Sequence, residues 1–124
     1  MAICGDLGRV FIVGPVFRAE DSNTHRHLCE FTGLDFEMEI KEHYSEVMDI
    51  VDYVFVNMFN KLNERCQEDL EAIKKQYPFT PLKYGTEFYI LHRYPLAVRP
   101  FYTMPCPDNA LYSNSFDVFI RGRR

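Results

Sequence analysis

The spacing of apolar residues changes twice along this 124-residue chain, and those changes dictate the order of its elements. From Val10 to Glu20 the period is two, as in a strand with distinct faces. Phe11, Val13, Pro15, Phe17 and Ala19 fall on one face, and Val10, Ile12, Gly14 and Val16 on the other. Arg18 and Glu20 then take over that second face. Residues 21–25, Asp-Ser-Asn-Thr-His, are turn chemistry. A second strand follows over about residues 28–39, with Phe31, Gly33 and Asp35 on one face and Leu34, Phe36 and Met38 on the other.

The period then lengthens. Tyr44, Val47, Met48, Val51, Val54, Phe55, Met58 and Leu62 recur at three- and four-residue steps, an amphipathic stripe that packs into a core. The spacing predicts one long helix over residues 40–76, about 45 Å for about 30 helical residues, ended by Pro78 and Pro81. Strand character returns over residues 88–91 and 101–104, between prolines, and over 115–121. There Phe116, Val118 and Ile120 alternate with Asp117, Phe119 and Arg121. Strand, strand, helix, strands is the order of an α+β fold: an antiparallel β-sheet with a long helix packed on it.

Length allows one domain. An apolar fraction of 47% with 26% charged residues belongs to soluble globular chains, and 15% aromatics is too rich for a disordered tail. A net charge of -4 argues against a dedicated DNA binder, so any RNA contact must be local, through a few arginines. No stretch approaches a membrane span, and no signal layout opens the chain. Cys4, Cys29, Cys66 and Cys106 lack zinc-ligand spacing and read as free thiols of a reducing compartment. A cytoplasmic location is expected. His43 and His92 are isolated and read as surface or helix-face residues, and Arg121, Arg123 and Arg124 as a charged tail.

Chemistry concentrates on the first hairpin. Arg18 and Glu20 end one strand, Arg26 and His27 lie beyond the loop, and Phe31 and Asp35 sit on the returning strand. Guanidinium groups suit bidentate contact with phosphate or carboxylate. A Phe ring can stack on a base, and carboxylates can hold an ammonium. The set suits an anionic nucleotide with a small amino-acid-like ligand. By spacing alone a solvent-facing hairpin whose charges pair with one another is the better account.

The wording of the segment carries more. Val16-Phe17-Arg18-Ala19-Glu20, the loop, and Arg26-His27-Leu28-Cys29-Glu30-Phe31 resemble motif 2 of class II aminoacyl-tRNA synthetases, in the subgroup charging Asp, Asn and Lys. Thr32-Gly33-Leu34-Asp35-Phe36-Glu37-Met38 resembles the aspartyl member, since the asparaginyl and lysyl members usually carry Glu at the place of Asp35. The blocks Tyr94 to Met104 and Ser113 to Asp117 also resemble the aspartyl family, in its eukaryotic cytosolic, plant-like form.

The resemblance implies a partial class II catalytic domain over 1–124, with motif 2 at about 10–39, acting in ATP-dependent ligation of L-aspartate to tRNA(Asp). Arg18 would bridge the α-phosphate and the substrate carboxylate as the catalytic cation. Arg18, Ala19, Glu20, Arg26, His27, Leu28 and Phe31 would bind ATP, with adenine stacked on Phe31. Asp35, with Arg18, would bind aspartate. Glu20, Ser22 and Thr24 would touch the tRNA acceptor end. Asp117 would be one of two acids holding Mg2+. The family is homodimeric.

The departures are part of the expectation. The family's last strand continues Arg-Gly-Glu-Glu, where this chain has Arg121-Gly122-Arg123-Arg124. A cation at a metal-ligand position repels magnesium. Motifs 1 and 3 find no match, and a helical segment that the family carries after the position of Tyr84 is skipped around 84–86. The chain reads as a fragment. The alternative to the ligase is therefore a non-catalytic synthetase fragment that binds nucleotide weakly or associates with full-length synthetase.

Overall fold

The computed structural model describes residues 3–22, 24, 27–80, 82 and 87–123. In it, the period-two segment becomes a hairpin of β1 (Arg9–Phe17) and β2 (Glu30–Met38). The strands pair antiparallel in continuous register from Arg9 opposite Met38 to Phe17 opposite Glu30. The ladder runs one step past the strands, where the Arg18 amide donates to the Cys29 carbonyl at 2.9 Å. Pro15 is tolerated opposite Thr32 because each strand of a two-stranded sheet is an edge, and a residue without an N–H can face outward there.

The chain divides into two units, residues 1–42 and 43–124, and the hairpin belongs to the first. In the second, α1 (Ser45–Arg65) and α2 (Gln67–Gln76) precede β3 (Phe88–His92) and β4 (Phe116–Ile120). β3 and β4 pair antiparallel, Phe88 opposite Ile120 and His92 opposite Phe116. The fold is α+β, but its sheet is not continuous: two separate two-stranded sheets replace the single one expected.

Helix α1 covers the β3–β4 face that carries Phe88. Phe55 and Phe59 bring their rings to 5.3 and 6.3 Å from the Phe88 ring. Among the described residues, Tyr44, Val51, Phe88 and Cys106 are the buried apolar ones. The Tyr44 hydroxyl is hydrogen-bonded to His92 Nδ1 at 3.0 Å, and burial raises its pKa. His92 is exposed, as a surface residue, but through this bond it is not isolated. The stripe of α1 is covered as far as Phe55 and exposed at Met58 and Leu62.

The expected single helix is broken at Cys66 (φ -118°, ψ 32°). The Cys66 amide still donates to the Leu62 carbonyl and its carbonyl accepts from Leu70, so the chain turns without losing those bonds. The charges explain two helices. Glu68 and Asp69 lie in the first turn of α2 and Lys74 and Lys75 in its last, while α1 ends on Arg65. Each helix carries the charges its own dipole favours. The first turn of α1 is closed by Glu46, whose carboxylate accepts from the His43 amide at 3.1 Å.

Residues 101–104 are not a strand. The Thr103 amide donates to the Pro100 carbonyl at 2.9 Å, closing a turn that leaves Phe101, Tyr102 and Met104 exposed. Prolines at 100 and 105 deny this run two ladder donors. Cys29, Cys66 and Cys106 are free thiols.

Candidate functional site

The register of the hairpin decides which side chains share a face. Residues directly opposite on an antiparallel pair point the same way, as do residues two apart on one strand. Val16 lies opposite Phe31, so Arg18 and Phe31 project from one face. Their side chains meet: the Arg18 guanidinium carbon is 5.2 Å from the centroid of the Phe31 ring. A cation over a ring face is attracted by its quadrupole. Glu20 approaches Arg18 at 4.0 Å, the outer limit of an ion pair, with the arginine 63% exposed. Such a pair contributes little, so the self-paired alternative is weak and the guanidinium stays accessible.

Further along the same face come Gly14 opposite Gly33, then Ile12 opposite Asp35. Asp35 is four residues from Phe31, about 14 Å at the strand rise of ~3.4 Å per residue. Between ring and carboxylate the two glycines carry no side chain, and the backbone is open at Gly14 while Val16 lies over Gly33. A Cβ on Gly33 would come within 2.7 Å of Val16 Cγ2, whereas one on Gly14 would meet nothing within 4 Å. This face therefore carries, in order, a cation over a ring, a backbone floor and an exposed carboxylate.

The loop adds His27, whose amide donates to the Thr24 carbonyl at 3.1 Å. Its Nδ1 is hydrogen-bonded to the Ser22 hydroxyl at 3.3 Å and to the Thr24 hydroxyl. Ser22, Thr24 and His27 thus form one cluster. Ala19 and Leu28 flank the strand ends and are exposed. Arg26 lies outside the described residues.

Asp117, the expected magnesium ligand, is otherwise engaged. In the second unit its carboxylate accepts from Arg99 Nη2 at 2.8 Å and Nη1 at 3.4 Å, both side chains 12% exposed. The Arg99 guanidinium also lies 4.0 Å from the centroid of the Tyr94 ring. Among the described residues no three or more of His, Cys, Asp and Glu gather as a metal could require. These residues do not fit a magnesium site. Spacing did not reveal the pair, since Arg99 and Asp117 are far apart in sequence and on different elements.

Sequence reasoning also gave Ser113 no role. It is fully buried, and both its amide (2.8 Å) and its hydroxyl (2.9 Å) donate to the Tyr94 carbonyl. Its Oγ lies 2.7 Å from that of Ser115. Arg93 and Asp108 pair at 2.8 Å on the surface of the same loop region.

Comparison with known proteins gives a consistent picture. The family model for tRNA synthetases class II (D, K and N) matches residues 1–123. The chain is 57% identical to aspartate–tRNA ligase 2, cytoplasmic, of Arabidopsis thaliana, over 98% of this chain and 30% of that protein. It is 52% identical to aspartate–tRNA ligase 1, cytoplasmic, of the same plant, over 98% of this chain and 31% of that protein. Among solved structures, the aspartyl tRNA synthetase from Entamoeba histolytica superposes with a TM-score of 0.90 at 42% identity, covering 98% of this chain and 34% of that one. The chain thus spans about a third of the length of the relatives it matches. The alignments to the plant relatives run over 167 positions, more than the 124 residues present, so those relatives carry residues with no counterpart here.

Proposed function

Because the chain belongs to the class II tRNA synthetases of the D, K and N group, we propose that its hairpin is the ATP- and aspartate-binding element of a cytoplasmic aspartate–tRNA ligase. The contact of Arg18 with the Phe31 ring, on the face that also presents Asp35, carries this reading. Adenine would stack on Phe31. Arg18 would then reach the α-phosphate and the aspartate carboxylate together, a bidentate task that suits a guanidinium. The carboxylate attacks the α-phosphorus, pyrophosphate leaves, and aspartyl-adenylate forms. The terminal hydroxyl of tRNA(Asp) afterwards displaces AMP. Arg18 would offset the negative charge that builds during attack, and Asp35 would hold the substrate ammonium. The Ser22, Thr24 and His27 cluster stands where the outer phosphates and the tRNA end would meet the loop, with Arg26 beside it in sequence and Glu20 near the adenine.

Magnesium enters no step, because Asp117 is committed to Arg99. Losing a cationic clamp costs adenylate formation dearly, since a single electrostatic donor is typically worth about 2.7–4 kcal/mol. The second reading, a fragment that binds nucleotide without turnover, is favoured by that pairing.

Calorimetric titration with hydrolysis-resistant aspartyl-, asparaginyl- and lysyl-adenylate analogues tests the proposal. Saturable binding of the aspartyl analogue, at least tenfold tighter than the others, is expected. Equal affinity for all three would remove the aspartate assignment, and no binding would remove the hairpin's role. Pyrophosphate release from ATP and aspartate would separate ligase from binding fragment.

A further inference from the structure

The second unit holds a cavity of about 600 Å³ that the hairpin chemistry does not involve. Its walls are apolar: Phe59 and Leu62 of α1, Leu70 of α2, Leu82, Phe88 of β3 and Ile120 of β4. The volume is within the range of ligand pockets, and the polar residues of its lining are Asp52, Asn60, Asn63, Thr80 and Arg121. Leu62 (43%) and the neighbouring Met58 (45%) are exposed, so the C-terminal end of the α1 stripe is only partly covered. A helix stripe this apolar is ordinarily covered by another element.

Two observations identify the cover. The plant relatives align over 167 positions against 124 residues here, so an internal stretch of theirs is missing. Leu82 and Phe88 both line the cavity and stand on either side of residues 83–86, where the family resemblance places the skipped segment. Chain inserted there would leave one wall of the cavity and return to another. Arg121 ties the two flanks: its guanidinium donates to the Thr80 carbonyl and pairs with Glu87 at 3.3 Å, and its amide donates to the Glu87 carbonyl at 2.6 Å.

We propose that this cavity is the seat of the segment the relatives carry between the positions of Leu82 and Phe88, and that this chain takes up that segment as a separate peptide. The occupant is an amphipathic polypeptide presenting an apolar face to Phe59, Leu62 and Leu70, with its polar side at Asn60, Asn63 and Arg121. The proposal rests on the family alignment and not on the nucleotide reading of the hairpin, so either can fail alone.

The test uses the full 124-residue chain and a fluorescein-labelled peptide comprising the unmatched residues of Arabidopsis thaliana aspartate–tRNA ligase 2. Anisotropy titration is expected to show saturable one-to-one binding, competed by unlabelled peptide and absent for a scrambled sequence. Leu62→Asp is expected to weaken it at least tenfold, with Asn63→Lys as a second rim variant should circular dichroism show Leu62→Asp unfolded. Tyr53→Ser, on α1 outside the cavity lining, is expected to leave binding unchanged. Absence of binding, equal binding of the scrambled peptide, indifference to both cavity variants, or a cavity closed by self-association in sedimentation velocity would each overturn the proposal.

Discussion

Arg18, Phe31 and Asp35 are legible from the sequence because period two and antiparallel pairing leave no freedom: once Val16 faces Phe31, the three residues share a face. The glycines between them were not legible, since nothing in the spacing says that Gly14 and Gly33 oppose each other. Their different surroundings separate two effects. Gly14→Ala has room for its Cβ, so stability is expected to hold while ATP affinity drops several-fold as the floor fills. Gly33→Ala must displace Val16, and thermal unfolding is expected to show loss of the hairpin's stability by about 1–3 kcal/mol, as for overpacking elsewhere. The Arg99–Asp117 pair was illegible because its members are brought together only by the fold. Asp117→Asn leaves a nearly buried guanidinium uncompensated and is expected to lower unfolding free energy by about 3 kcal/mol in denaturant titration. Magnesium is expected to add no stability to the unsubstituted chain. Arg93 holds Asp108 below the ordinary carboxylate range, chiefly by hydrogen bonding to it. The stabilisation from a depressed acid is present above its unfolded pKa and lost as pH falls through the folded value. A carboxyl NMR titration of Asp108 is expected to show that low midpoint moving back toward normal in high salt.

At the scale of elements, the break at Cys66 was written in the charges rather than in the apolar stripe. Three- and four-residue steps continue past Leu62 only weakly, while Glu68, Asp69, Lys74 and Lys75 mark a fresh start and a fresh end. Residues 101–104 misled for a physical reason: an apolar run between prolines looks like a strand, but a strand needs ladder donors and a partner, and this run closes on Pro100 instead. Ser113 replaces a third strand as the fastening of that region to Tyr94. Ser113→Ala is expected to cost about 1–2 kcal/mol, read by denaturant titration, because it removes a buried hydroxyl that donates at 2.9 Å. The β1–β2 hairpin exposes Phe11, Val13, Phe17 and Leu34 on its second face. A two-stranded sheet is marginal by itself, so hydrogen exchange is expected to be faster throughout β1 and β2 than in α1 and β3. Protection of the hairpin equal to that of α1 would contradict this.

For the molecule as a whole, composition was the least informative level. A net charge of -4 excludes little beyond a dedicated nucleic-acid binder. What located the chain was wording, the Phe-Arg-Ala-Glu and Arg-His-Leu-Cys-Glu-Phe stretches, and the match over residues 1–123 makes it a member of the class II synthetases. The division into two sheets rather than one was not readable, since the strands of both sheets alternate in the same way and only pairing distinguishes them. Nucleotide capture by the first unit is the claim on which the functional reading stands. A double-mutant cycle on ATP affinity, with Arg18→Met, Phe31→Leu and both together, measures it most directly. Each single change is expected to weaken binding about tenfold or more, in keeping with ~1.5–3 kcal/mol for the hydrogen bond of Arg18 to a charged group and ~1–3 kcal/mol for a base stacked on Phe31. The double change is expected to fall short of the sum, because ring and guanidinium grip one nucleotide. ATP affinity unchanged by Phe31→Leu, or two fully additive losses, would contradict a shared nucleotide site.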